Sequence, residues 1–457
     1  MSQNISLMNR PSLMWLLASL VMACGSRADA QRSTRVTAEM VKQEFLHAWS
    51  GYKRYAWGHD ALKPLTRQPH DWYGSSLCMT PVDAYDTMIL MGLKDEAAEA
   101  KQLILDSLSF DKNIEVQAFE ITIRLLGGLL SAYQLDGDRR FLSLAEDLGR
   151  RLLPIYNSRT GMPYRYVHLR RGTIRDSINN PAEIGTALLE FGTLSKLTGD
   201  PIYYNKAKTA LVQLYKRRSS IGLVGTWINI ETGEWTDKTS HIGGAIDSYY
   251  EYLIKSWLLF HDEDCREMWE QSIKAINKFI ADTTHGGLWY GQVDMETGRR
   301  IGTTFGSLEA FFPAVLCLSG DVERARNLEA SCFRMWNLDG IEPEEIDYAT
   351  MSLTSKRYYL RPEIIESSYY LHHFTHDDTY LQMGETFFNS IVKYCRTDDA
   401  YAMLDDVVTK EKSDRMESFF FAETLKYLYL LFAPEQTVPF GEVVFNTEAH
   451  PLRRTWK

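Results

Sequence analysis

The chain has 457 residues, enough for one large or two ordinary domains, and 45% hydrophobic with 12% aromatic residues can fill a large core. A net charge of -10 disfavours nucleic acid as a partner. After residue 30 no stretch is long and apolar enough to span a bilayer, and no Pro/Gly/Ser-rich linker or charge run divides the chain.

The first element is a leader. Arg10 precedes the apolar run from Leu13 to Ala23, and Ala28-Asp29-Ala30 follows at A-x-A spacing. This predicts a secretory signal over residues 1–30 and a single domain over 31–457. A lipoprotein signal with Cys24 as the lipidated residue is the rival reading. Either makes the protein secreted or periplasmic, or places it in the endoplasmic reticulum lumen of a eukaryote. After Ala30 there is no N-x-S/T acceptor site, and the C-terminal Arg454-Thr455-Trp456-Lys457 is no retention signal, which favours the periplasm. Cys78, Cys265, Cys317, Cys332 and Cys395 are scattered, so one disulfide or none is expected.

Helix-like periodicity then dominates. An amphipathic helix is predicted over residues 36–55. Apolar helices follow from about Val82, Phe119, Ala182, Asp247, Ser307, Glu363 and Glu417. Between them, amphipathic helices start near Lys94, Arg140, Tyr203, Cys265, Val322 and Thr379. Asp-containing turns join apolar to amphipathic helix: Asp136-Gly137-Asp138, Thr198-Gly199-Asp200, Asp262-Glu263-Asp264, Ser319-Gly320-Asp321 and Thr375-His376-Asp377-Asp378. Counting from Asp138, the last Asp of each turn recurs after 62, 64, 57 and 57 residues, a period of stacked helical hairpins. The first amphipathic helix lacks an apolar partner before it, and the last apolar helix lacks an amphipathic one after it. Pairing these two closes an all-α ring of seven hairpins, an (α/α)7 barrel with the apolar helices inside. The stretches 157–180, 221–239 and 286–304 look like β-hairpins, all at the end where inner helices begin.

The inner helices carry their acids near that same end: Asp83 and Asp86, Glu120, Glu183, Asp247, Glu363 and Glu366, Glu417 and Glu423. Each has a bland reading. Asp247 can be an N-cap. Glu120 can pair with Arg124 on its own helix. Glu363 follows Pro362 at a helix start, where the dipole favours an acid. Together they are costly to bury without a cation or a polar ligand. In the otherwise apolar Phe119–Tyr133 segment, Glu120, Arg124, Gly127, Gly128 and Ser131 form one polar or small stripe. That stripe must face a cavity or a close neighbour. Two carboxyl groups across a cavity can cleave a glycosidic bond, one protonating the leaving oxygen and one activating water; about 6.5–9.5 Å between them gives inversion.

At these residues the chain resembles glycoside hydrolase family 47, the inverting α-1,2-mannosidases. The resemblance rests on Phe119-Glu120 with Ile123-Arg124 and Gly127 to Tyr133, on Asp247 to Leu253, and on Leu360-Arg361-Pro362-Glu363 with Glu366-Ser367. It rests also on Met416 to Phe419 with Glu423 to Tyr427, and on Val444 to Leu452. It implies an (α/α)7 barrel, an α-mannoside oligosaccharide substrate, bound Ca²⁺ and a monomer. It assigns Glu120 as general acid, Glu363 as general base, and Asp247 as an acid acting through water near the leaving group. Between Glu120 and Asp247 the proton donor stays open. Thr447 matches the Ca²⁺ ligand, whose ion also binds the sugar's 2- and 3-hydroxyls. Glu183, Glu366, Glu417 and Glu448 match acids lining the cavity or holding the ion's waters, and Arg361 and Phe419 are placed with the substrate-binding residues. Ala245-Ile246 stands where processing mannosidases often carry a branch-selecting Arg. Ser307 to Pro313 stands in place of a His-Leu-x-Cys-Phe segment, and Ala61 replaces a common Glu. In these the chain is similar to the branch linked to glycoprotein degradation in the endoplasmic reticulum. Ala310 there would leave Cys332 without its usual disulfide partner, and the site should be open and less selective. A mannose-glycan binding protein with little hydrolysis is the main alternative; another (α/α)-barrel carbohydrate enzyme, such as an epimerase or lyase, is the third.

Overall fold

The computed structural model describes residues 35–454. The predicted leader over residues 1–30, Cys24 and the last three residues lie outside them. Among the described residues, inner and outer helices alternate around a ring, as the periodicity predicts. The outer helices are Ala38–Tyr55, Lys94–Ser107, Arg139–Leu152, Ile202–Tyr215, Glu263–Ala275, Val322–Trp336 and Thr379–Cys395. Three inner helices are uninterrupted: Met79–Met91, Asp247–Phe260 and Glu363–Thr375. The other four, over residues 118–136, 181–198, 308–318 and 420–432, change pitch or break along their length. Each inner helix packs on the next, and the Phe420–Thr424 turn returns to Met79–Met91. The first outer helix packs on Leu425–Phe432, which closes the ring at the place expected from the unpaired first and last helices. The wall between is apolar and fully buried, with Leu125, Leu129, Leu253, Phe312 and Leu428 among it.

The Asp turns work as punctuation. Inner helices end on a left-handed residue, at Gly92, Gly137, Gly199, His261, Gly320 and His376. Glycine reaches that region without strain and halts a helix there. Asp138, Asp262 and Asp321 then cap the next outer helix through a backbone N–H. In two turns the capping carboxylate is the earlier Asp, since Asp262 accepts from Cys265 N and Asp377 from Thr379 N.

The opposite end is a staircase of small antiparallel sheets. The strand that leads into one inner helix pairs with the hairpin that precedes the next. Glu115–Gln117 pairs with Tyr166–His168, Ile178–Asn179 with Trp227–Asn229, Thr239–Ser240 with Gln292–Asp294, and Thr304–Gly306 with Glu345–Asp347. The three expected hairpins are therefore present, and two more follow at Glu345–Asp347 with Ser352–Ser355 and at Leu404–Asp406 with Glu411–Lys412. The last hairpin, Val443–Phe445 with Pro451–Arg453, is different. It packs on Gly127–Asp136 and Asp247–Phe260, and so plugs the barrel from the other end.

The stripe on the 118–136 helix is explained by this plug. A Cβ on Gly127 would sit 2.6 Å from Asn446 Nδ2, and one on Gly128 2.7 Å from Val82 Cγ1 and 3.2 Å from His450. Below them Ser131 donates to Asp86 at 2.9 Å. Above them the backbone makes a π-helical turn over Thr122–Leu126, and Asn446 Nδ2 donates to the Ile123 carbonyl. Such turns leave carbonyls that need an outside donor.

Candidate active site

Between the plug and the sheets lies a cavity of about 370 Å³. Inner-helix N-termini open into it, where the helix dipole favours negative charge. Eight carboxyl groups and three guanidinium groups line it. Glu120 comes from the 118–136 helix, Glu183 from Pro181–Gly185, Asp247 from the first turn of its helix, and Glu363 and Glu366 from theirs. Arg361 and Phe419 line it as well, and the plug contributes Thr447 and Glu448 at its base. Nine of the ten residues expected at the site are thus brought together. Glu417 is not among those lining the cavity. It precedes the last inner helix, Arg415 binds one of its oxygens at 2.7 Å, and Trp72 Nε1 binds the other at 3.0 Å.

Backbone strain positions these acids. Ala245, Leu360 and Ala449 hold left-handed φ values of 75°, 60° and 57°. Each lies one to three residues from a cavity acid: Asp247, Glu363 and Glu448. Non-glycine residues persist there only when their surroundings hold them. Here Ala182 N donates to the Ala245 carbonyl, Thr424 Oγ1 to that of Leu360, and Lys426 Nζ to that of Ala449.

The acids differ in how far they are compensated. Glu183 is fully engaged, by Arg165 at 2.8 Å, Gln117 at 2.9 Å and Asn180. Glu120 accepts from Arg124 Nε at 2.8 Å, the pairing foreseen on its own helix, and Arg124 also binds Glu448. The Arg124 guanidinium lies between the Trp72 and Phe419 rings. Asp247 is not an N-cap for a later amide. Burial pushes its carboxyl up to about 7, opposed by the Ser248 N–H at 2.8 Å. Glu363 is pushed up to about 8 by burial, with Arg361 opposing, and its Oε2 has no hydrogen-bond partner. Glu366 is pushed up to about 7, although Lys255 and Tyr427 oppose burial. Glu423 is raised well above the usual range, by burial and by Glu448 and Glu363.

Three residues with a place here were not singled out from the sequence. Glu251 lines the cavity and pairs with the fully buried Lys255, which lies 3.7 Å from Glu366. Arg165 comes from the loop before a hairpin strand. Glu251 and Lys255 read as an ordinary helical i,i+4 pair; the signal against that was their all-apolar helix.

A cation here would meet oxygen donors: Thr447 and Glu448 of the plug line the cavity together with Glu363, Glu366 and Glu423, although among the described residues no three carboxyl or imidazole groups converge on one point. Oxygen donors of this kind suit Ca²⁺. The five described cysteines are free and buried.

A ring of helical hairpins whose cavity is lined by acids from several inner helices defines a glycoside hydrolase. The chain belongs to glycosyl hydrolase family 47, whose family model matches residues 44–454. It is 38% identical to Alpha-mannosidase I MNS4 of Arabidopsis thaliana over 94% of this chain and 71% of that one. It is 37% identical to human ER degradation-enhancing alpha-mannosidase-like protein 2, over 91% and 77%. The solved structure of alpha-1,2-mannosidase from Trichoderma reesei superposes with a TM-score of 0.84 at 29% identity, covering 91% of this chain and 98% of that one.

Proposed function

We propose that the chain is an exo-acting, Ca²⁺-dependent, inverting mannosidase that removes terminal α-1,2-linked mannose from mannosides or high-mannose N-glycans. The observation that carries this reading is the convergence of Glu120, Asp247 and Glu363, from three separate inner helices, on one cavity. The relatives are named as mannosidases, and the three acids stand in the motifs that resemble the family.

Glu363 is the general base. Its unpartnered Oε2 is available to a water, and it must be ionised to take that water's proton. Arg361 opposes the burial that raises it. When bound at Thr447, Ca²⁺ would add positive charge and hold the sugar's hydroxyls. Glu120 is the general acid in the reading from resemblance. Asp247 has a claim to that role as well, because burial raises its carboxyl to about 7 and so leaves part of it protonated at neutral pH. A substrate with fluoride as leaving group needs no proton donor. Of Glu120→Gln and Asp247→Asn, the variant that recovers turnover on α-mannosyl fluoride has lost the acid.

The defining experiment follows α-1,2-mannobiose hydrolysis by NMR, with and without a chelator. Chelator-sensitive release of β-mannose is the expected result. α-Mannose as first product would overturn the two-carboxyl water mechanism. Mannose binding without hydrolysis would leave a sugar-binding protein. Among the described residues no helix is long and apolar enough to cross a membrane. A lumenal or extracytoplasmic location matches the predicted leader and the ER-named relative.

A further inference from the structure

Behind the plug, on the side away from the catalytic cavity, lies a second space of about 800 Å³. The two spaces share no lining residue. The plug hairpin divides them. Thr447 and Glu448 at its tip line the catalytic cavity, and Val443, Pro451 and Arg453 on its strands line this one. Leu90, Leu135 and His261, at the far ends of three inner helices, complete the wall with the segment that leads into the hairpin.

The chemistry of this lining has two parts. Leu90, Leu135, Val438, Pro439, Val443 and Pro451 make the walls aliphatic. No phenyl, phenol or indole ring is among them, so a flat aromatic ligand finds no stacking partner. The other part is cationic. Arg454 is held in place, with Nη1 donating to the Gly441 carbonyl at 3.2 Å and Nη2 lying 3.5 Å from His261 Nε2. A guanidinium carries five N–H donors, so most of those on Arg454 remain unspent. The Arg453 side chain has no ion pair or hydrogen bond among the described residues; only its backbone N–H is used, by Gln134. Neither arginine pairs with a carboxylate among the described residues, and the single acid of the lining, Glu442, is exposed to solvent. Two guanidiniums repel a cation. Aliphatic walls leave the hydroxyls of a polar ligand without partners. No lysine and only one hydroxyl, that of Thr437, stand there to cage a phosphate. The planar guanidinium fork matches the two oxygens of a carboxylate.

From this we infer that the space behind the plug binds a fatty acid, with its aliphatic chain along the walls and its carboxylate on the Arg453 and Arg454 guanidiniums. Charge complementarity selects the head group, and the aliphatic lining selects the body. The occupant lies on the strands of the plug, so it braces the hairpin that supplies Thr447 and Glu448 to the catalytic cavity. The inference stands apart from the mannosidase reading, because no residue of the catalytic cavity takes part in it.

Calorimetry with decanoate below its micelle concentration tests this on the whole protein. Decanoate should bind and raise the unfolding temperature. Decanol, which lacks the charge, and acetate, which lacks the chain, should each bind at least about 10-fold more weakly. Arg453→Glu reverses the charge at an exposed position, and Val443→Trp fills the space from a half-buried strand position where an aromatic residue is well accommodated. Each should weaken decanoate binding by at least about 10-fold. Unfolding temperatures equal to the wild type's, without ligand, establish that the variants are folded. Decanol binding as tightly as decanoate would overturn the carboxylate head, and acetate doing so would overturn the aliphatic body. Variants that bind decanoate as the wild type does would move the ligand elsewhere and overturn the assignment. Absence of binding by the wild type would also overturn it, and binding regained in a chain ended at Arg454 would then make residues 455–457 the occupant instead.

Discussion

Asp86 and Glu363 are both acids on inner helices, the first buried at the floor of the barrel and the second half-buried in the wall of the cavity. At the floor, Asp86 takes Lys426 at 2.7 Å, His450 Nδ1 at 2.6 Å and Ser131 at 2.9 Å. Burial alone would raise it, but Lys426 and His450 outweigh burial and bring it down to about 2. At the mouth, Glu363 keeps one oxygen without a partner and rises to about 8. The helices are alike; exposure to the cavity and compensation differ. A buried acid with all its partners is part of the scaffold, and one left short of partners is poised for a ligand or a proton.

The comparison is broken most severely by exchanging an amide for each acid. Glu363→Gln should lower turnover by about 10²- to 10⁴-fold while sugar binding and the unfolding temperature hold or rise. NMR hydrolysis with calorimetric mannose binding reads both. Unchanged turnover would remove Glu363 as base. Asp86→Asn should act in the other direction, leaving Lys426 and His450 buried without their anion. It should cost about 3–5 kcal/mol of stability, measured by urea unfolding. A loss under 1 kcal/mol would show that the floor network is not structural.

The two ends also predict opposite responses to pH. Glu363 and Asp247 have folded values of about 8 and 7, above those of unfolded carboxyls. Their contribution is fully present below the unfolded value near 4.5 and is lost as pH rises through 7 to 8. Asp86, with a folded value of about 2, contributes above an unfolded value near 3.8 and loses that contribution only as pH falls through 2. Chelated protein should therefore lose stability between pH 5 and 8, and Glu363→Gln should lose less of it. Thermal unfolding across that range, with and without added Ca²⁺, checks the sign. A slope that is the same in the variant would assign the effect elsewhere.

Much of this was legible in the residues. The Asp turns announce where one helix ends and the next begins, because a left-handed glycine and a capping acid are local requirements. Glu120 could be placed because four small or polar neighbours share its face. Glu417 could not, because it lies in a loop, and whether it reaches the cavity depends on Arg415 and on the distant Trp72. The plug was equally hidden. Asn446 and His450 meet the 118–136 helix across more than 300 residues, and no periodicity reports such a contact. Of the hairpins that escaped notice, the two at Glu345–Ser355 and Leu404–Lys412 did so for a local reason. The fifth residue of the turn is Gly233 or Gly298 in two of the hairpins that were seen, but Met351 and Lys410 in these two. The acid at the first position, Asp294, Asp347 or Asp406, accepts from the amide two residues on in each.

That last contrast provides the gentlest way to sharpen the difference between the two ends. The mouth hairpins are surface turns, so backbone changes there should cost far less than charge changes at the floor. Met351 holds φ at 57°, where an L side chain is strained by about 1–2 kcal/mol. Glycine would relieve that strain but give back roughly 0.5–1 kcal/mol in unfolded-chain entropy. Met351→Gly should thus stabilise by about 0.5–1 kcal/mol, with turnover unaltered. Gly298→Ala, at the equivalent place with φ 68°, should destabilise by at least about 1 kcal/mol, because its Cβ would also sit 2.4 Å from Phe279 Cδ1. Urea unfolding of both variants reads the pair. Opposite signs would show that the turn is set by its left-handed position and not by the residue that fills it; a loss in both would mean that the Met351 side chain itself holds its hairpin together.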